Sequence, residues 1–142
     1  MKLLLMLITL NIALFASQLD TYAKSMGFQR DYTQAMVKAK KSHKAVMLLM
    51  TREDCPWCRK FERVVLKDDT IKQRLAQEVV VVIVDKNLDK AHFPSKKYKS
   101  FFSPKGFFIS PKNKKVLLEM NGYVKKEDFI NELNKVKSKM NK

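Results

Sequence analysis

Two cysteines, and only two, occur in the chain, three residues apart in Arg52-Glu53-Asp54-Cys55-Pro56-Trp57-Cys58-Arg59. Sulfur at this spacing can hold a metal, tether a haem, close a structural loop or shuttle a disulfide. A closed structural zinc site needs four ligands. Beyond Cys55 and Cys58 the chain offers His43 and His92, neither at the spacing of a zinc ribbon or finger, so no metal is expected. Haem attachment needs a histidine directly after the second cysteine, where Arg59 stands. A staple across so short a loop removes only about 2 kcal/mol of unfolded-state entropy, against about 4.7 kcal/mol for a hundred-residue loop.

Redox chemistry makes use of every residue in the stretch. With Cys55 at a helix N-cap and Pro56 at the first helical position, where a missing N–H costs nothing, the Cys55 sulfur faces unpaired backbone N–H groups and the positive end of the helix dipole. That setting favours thiolate, the attacking species. Lowering a cysteine pKa from about 8.5 to about 7 raises the thiolate fraction at neutral pH from roughly 3% to about half. Cys58, on the same helical face, resolves a mixed disulfide formed by Cys55. Trp57 sits on the rim, where it shields the sulfur or touches a substrate. This reading expects the leading sulfur open to solvent at the helix mouth and its mate tucked one turn inside.

A strand must lead into Cys55 and a helix must leave it. Ala45 to Met50 is a continuous apolar run of strand length, suited to burial on both faces. Upstream, Asp31 caps a predicted amphipathic helix to Lys41, with Tyr32, Ala35, Met36 and Ala39 on one face. Downstream, Cys58, Phe61, Val65 and Leu66 recur at helical spacing while Arg59, Lys60, Glu62 and Arg63 take the wet side. Asp68 or Asp69 caps a further short helix through Ile71, Leu75 and Ala76, and Val79 to Val84 reads as a strand. Residues 86–105 are irregular. Phe107 to Ile109 and Val116 to Met120 form a predicted hairpin in which Asn113 takes a left-handed conformation. Residues 125–139 close the chain as a helix burying Phe129, Ile130, Leu133 and Val136. Residues 18–29 show little periodicity, with Tyr22, Met26 and Phe28 as covering residues. The alternation predicts an α/β fold, a central sheet flanked by helices on both faces.

At 142 residues and 46% hydrophobic composition the chain has material for one core. Its formal charge is +15, which suits an anionic partner. The lysines scatter along the chain, clustering at 38–44, 96–99 and 135–142, and no aromatics are interleaved with Arg in a recognition pattern, so they read as a solvated surface and no nucleic acid is expected. Lys2 precedes the apolar run Leu3 to Ala16, which ends on small residues and reads as a secretory signal peptide. As a helix this run spans roughly 21 Å, short of the roughly 30 Å hydrocarbon core, so a permanent anchor is disfavoured. The expected organisation is a signal peptide at 1–16, a lead-in at 17–30 and one domain at 31–142, exported to the periplasm or an equivalent compartment. Outside the cytosol a cysteine pair can be structural as easily as catalytic.

Strand, Cys-Pro-Trp-Cys and helix, in this order of elements, resemble the thioredoxin superfamily, specifically its exported thioredoxin-like proteins. The similarity runs from Asp31 through Cys58 and on through Tyr98, Ser103-Pro104, the hairpin and Gly122-Tyr123 to the last helix. The resemblance implies a catalytic pair at Cys55 and Cys58 and a cis proline at Pro104 facing them, with Ser103 pairing to the backbone of an extended substrate. It implies no cofactor. Two departures stand out: Leu49 occupies the strand position where many thioredoxins bury an acid, and Lys105-Gly106 replaces the threonine and apolar residue common after the proline. Proton transfer then falls to water, Glu53, Asp54 or another nearby group. His43 reads as a solvated helix-end residue, and His92 lies in the irregular loop.

The function expected is an exported thiol–disulfide oxidoreductase that acts on client proteins as a monomer and is recycled by a membrane redox partner. Reduction is the expected direction, because the chain lacks the inserted helical domain of dedicated oxidases and the dimerisation domain of isomerases. The alternatives are a disulfide-donating oxidase, or a thioredoxin-like module that binds a metal or a protein without turnover.

Overall fold

In the computed structural model, residues 17–142 are described; the expected signal peptide, 1–16, lies outside them. Helix α1 (Gln18–Met26) is followed by α2 (Tyr32–Ser42), β1 (Ala45–Thr51) and α3 (Pro56–Lys60), which continues into a π-helical segment (Phe61–Leu66). Then come α4 (Asp69–Glu78), β2 (Val79–Asp85), β3 (Lys105–Ile109), β4 (Val116–Asn121) and α5 (Lys126–Met140). The four strands form one mixed sheet in the order β2-β1-β3-β4, with β1 parallel to β2 and antiparallel to β3.

Every residue of β1, β2 and β3 is buried, as expected for apolar runs covered on both faces. Alternation divides them. Met47, Leu49, Ile83 and Phe108 pack against Phe61, Ile71, Phe129 and Leu133, on the face covered by α1, α3–α5 and the π segment. Val46, Leu48, Met50, Val82, Phe107 and Ile109 pack on the other face against Tyr32, Ala35 and Ala39 of α2 and against Phe93 and Tyr98. Helices thus cover both faces.

Several local expectations change. Residues 18–26 form a helix because Ser17 and Asp20 make a capping box, each side chain satisfying the other's backbone N–H. Their short apolar spacing hides that signal, and only Ala23 is fully buried. Gln29 then bridges to β2, covering part of its outer edge. In the β3–β4 turn the left-handed residue is Lys114 (φ 59°), not Asn113; the Asn113 side chain instead accepts the Lys115 N–H at 3.1 Å. Glu62 is buried, not wet, because it lies four residues beyond the buried Cys58 and so shares its helical face.

Phe129 joins α5 to the sheet, fully buried and edge-on to Phe61 with ring centres 5.4 Å apart. Phe129→Ala is expected to cost about 3–5 kcal/mol, read as a fall in the urea midpoint at unchanged slope.

Candidate active site

β1 carries the chain to Thr51, and Arg52 to Asp54 turn it into α3. The turn is held from below by Asp85, the last residue of β2 and buried, whose carboxylate accepts the backbone N–H groups of Glu53 (3.0 Å), Asn87 (2.8 Å) and Leu88 (3.0 Å). Asp85 is a site-positioning residue that sequence reasoning missed. Its signal is an acid at the end of a buried strand, where loop N–H groups lack partners.

Cys55 is the N-cap of α3 and Pro56 takes the first turn. The Cys58 N–H donates to the Cys55 sulfur at 3.1 Å, so a backbone dipole points at the atom that would carry negative charge as thiolate. Cys55 and Cys58 are joined as a disulfide, with Cα atoms 5.2 Å apart. The Ser103–Pro104 peptide is cis, and the Ser103 carbonyl oxygen lies 3.6 Å from the Cys55 sulfur. With no proton on a disulfide sulfur, this is a packing contact.

One expectation is corrected here. Cys55 is 4% exposed and Cys58 1%, so the leading sulfur is covered in the disulfide form, not open. It is bonded to the buried Cys58, and the Ser103–Pro104 segment lies across its flank. The exposed surface around it is aromatic. Trp57 is half exposed and rests on Tyr123, ring centres 5.6 Å apart, with the Lys60 ammonium about 5 Å from both rings. Phe102 is half exposed and Phe101 fully so. The Ser100 hydroxyl bridges both ends of their turn, accepting the Phe102 N–H (2.9 Å) and donating to the Phe102 carbonyl (3.1 Å). Lys86 ties the turn down through the Ser100 carbonyl (3.0 Å).

The other sequence candidates separate. Leu49 is an apolar member of the core. Asp54 points into solvent beside Arg52, and Glu53 acts through its backbone. His43 is the exposed cap of α2, and His92 lines a cavity of about 420 Å³ with Arg52, Glu53 and Arg59. Lys105, next to the cis proline, is buried, its ammonium against Glu119, Asn121 and the Phe107 ring.

A second buried acid, Glu62, lies one helical turn beyond Cys58. Burial pushes its carboxyl pKa up, and the positive charges of Arg59 and Lys67 only partly oppose this. Its Oε1 lies 2.9 Å from an Arg59 nitrogen, inside ion-pair distance but without hydrogen-bond alignment. A folded-state value above the ordinary 4.5 means that the native state holds the extra proton between the two. The associated stability is complete below about 4.5 and is lost as pH rises through the folded-state value. Urea midpoints measured from pH 4 to pH 8 should therefore fall more steeply for the native sequence than for Glu62→Gln; superimposable profiles would refute the assignment.

Comparison with known proteins places this geometry. A family model described as a thioredoxin-like domain matches residues 32–137. No curated protein sequence matches the chain. A thioredoxin from Thermus thermophilus superposes with a TM-score of 0.68 at 23% identity, over 77% of this chain and 85% of that one. A structure described as DsbH oxidoreductase gives 0.61 at 21% identity, over 78% and 83%. The oxidised C-terminal domain of DsbD from Neisseria meningitidis gives 0.60 at 19% identity, over 75% and 97%. At these identities the structures speak for the fold alone. With the family match over most of its length and the Cys55–Cys58 pair at the start of α3, the chain belongs to the thioredoxin-like family and is a thiol–disulfide oxidoreductase.

Proposed function

We propose that the protein works after export, in the periplasm or an equivalent oxidising compartment, and reduces disulfides in client proteins. The observation that carries the mechanism is the Cys58 N–H aimed at the Cys55 sulfur. In the reduced protein the Cys55 thiolate attacks one sulfur of a client disulfide. A mixed disulfide forms and the client's other sulfur leaves as thiolate. Cys58, deprotonated, then attacks the Cys55 sulfur and expels the second client thiolate. Two electrons have passed to the client, and Cys55–Cys58 is left as the disulfide. A membrane-bound dithiol partner restores the reduced pair, and the protein acts as a monomer. The reducing direction is supported by the plain β2-to-β3 connection, which carries no helical insertion among the described residues.

Insulin reduction in dithiothreitol should be lost in Cys55→Ser, whereas Cys58→Ser should accumulate the mixed disulfide. Equal rates for Cys55→Ser and the native sequence would remove the catalytic reading. The potential against glutathione should lie near the −270 mV end of the family range of about −270 to −120 mV. A value near −120 mV would reverse the direction.

Client contact falls to the aromatic rim. Replacing both Phe101 and Phe102 by Ser should raise KM for a protein disulfide several-fold and leave reduction of a small disulfide such as cystamine unchanged. Both side chains are exposed, so little stability is at stake.

A further inference from the structure

The lysines that look scattered along the sequence are gathered by the fold. Strand register defines two ends of the sheet: Ala45 pairs with Val79, and Val46 pairs with Ile109, which pairs with Val116. The last turn of α2, the last turn of α4 and the β3–β4 turn therefore meet at the end of the sheet opposite Cys55. The end of α5 joins them, the Lys139 ammonium donating to the Leu117 carbonyl at 2.6 Å. Residues 40–44, 111–115 and 137–142 carry three lysines each and no Asp or Glu. Lys40, His43, Lys112, Lys115, Lys139 and Lys142 line one broad basin of about 1060 Å³. Among the described residues only Lys137 of these nine lysines has a carboxylate in reach, Glu78 at 3.8 Å, and Arg74 already holds that acid.

Helix dipoles account for part of this. Lys40, Lys41, Lys137 and Lys139 lie in the last turns of α2 and α5, where cations are stabilised. The hairpin lysines have no such reason to be there. Lys114 even takes a left-handed conformation, φ 59°, which glycine or asparagine adopts at lower cost. Like charges gathered around one basin repel, and an anionic surface offsets that repulsion.

We propose that this lysine basin docks the protein on the anionic headgroups of a lipid bilayer, with the Cys55–Cys58 pair facing away. The three segments contain no Arg, Phe, Tyr or Trp. They therefore lack the guanidinium forks and stacking rings by which proteins hold nucleic acids, and offer long, mobile ammonium groups suited to a fluid array of phosphates. β1 separates the basin from the redox centre by roughly 23 Å at about 3.3 Å per residue, so docking leaves the aromatic rim accessible. The inference does not rest on the direction of the redox reaction.

The test uses the full chain with vesicles of 30% phosphatidylglycerol in phosphatidylcholine, and with phosphatidylcholine alone. Any contribution from residues 1–16 is common to all samples and is subtracted by the comparison. Cosedimentation should show at least tenfold tighter binding to the anionic vesicles at low salt, lost in 0.5 M NaCl and lost in the triple variant Lys112→Glu, Lys115→Glu, Lys142→Glu. Unchanged reduction of a small disulfide by the variant shows that its fold is intact. Trp57, the only tryptophan and located at the redox end, reports orientation: its fluorescence should resist quenching by brominated lipid. Equal anionic binding by the variant would overturn the proposal, as would strong quenching of Trp57. Displacement from vesicles by substoichiometric duplex DNA would also overturn it and assign the basin to nucleic acid.

Discussion

The antiparallel register of β3 on β1 is the constraint on which both the core and the site depend. Met50 opposite Lys105 sets Pro104 one residue beyond the last pair, level with the turn that carries Cys55, and so brings the Ser103 carbonyl to the sulfur. The same register puts Met47 beside Phe108 on one face and Leu48 beside Phe107 on the other. A slip of one residue would exchange the faces and leave neither cluster filled. Gly106 permits the fit: a Cβ there would stand 3.3 Å from both the Met120 Cβ and the Met47 Cε.

Around the sulfur, charge is handled without an acid on the central strand. Leu49 adds packing to the core, and a buried acid sits on the helix side, at Glu62. Its position follows from helix spacing, since residue 62 lies four beyond the buried Cys58 and so on the same helical face. Asp85 contributes differently: its carboxylate absorbs three loop N–H groups and so fixes the approach to α3 from the adjacent strand.

The two ends of the molecule have opposite surface chemistry. At the redox end, Trp57, Phe101 and Phe102 are exposed, with Tyr123 packed beside the tryptophan and the Ser100 hydroxyl holding the backbone of the phenylalanine turn. Exposed aromatic groups grouped beside a reactive sulfur are suited to binding a polypeptide, because contact removes their apolar surface from water. At the far end, lysines from three element ends share a basin and few find partners. A client at one end and a charged surface at the other can be engaged together.

Local chemistry was legible in the order of residues. Pro56 after Cys55 dictates a helix start, apolar runs at 45–50 and 79–84 dictate buried strands, and the periodic Phe129, Leu133 and Val136 dictate the face of α5. These depend on neighbours within a turn or two, and the thioredoxin-like pattern follows from their succession. Three features were not legible: the capping role of Asp85, the cover over Cys55 and the gathering of lysines at one end. Each is settled by groups remote in sequence, through strand register and helix packing. A side chain's local pattern shows which face it prefers; what that face meets is set only when the sheet closes around β1.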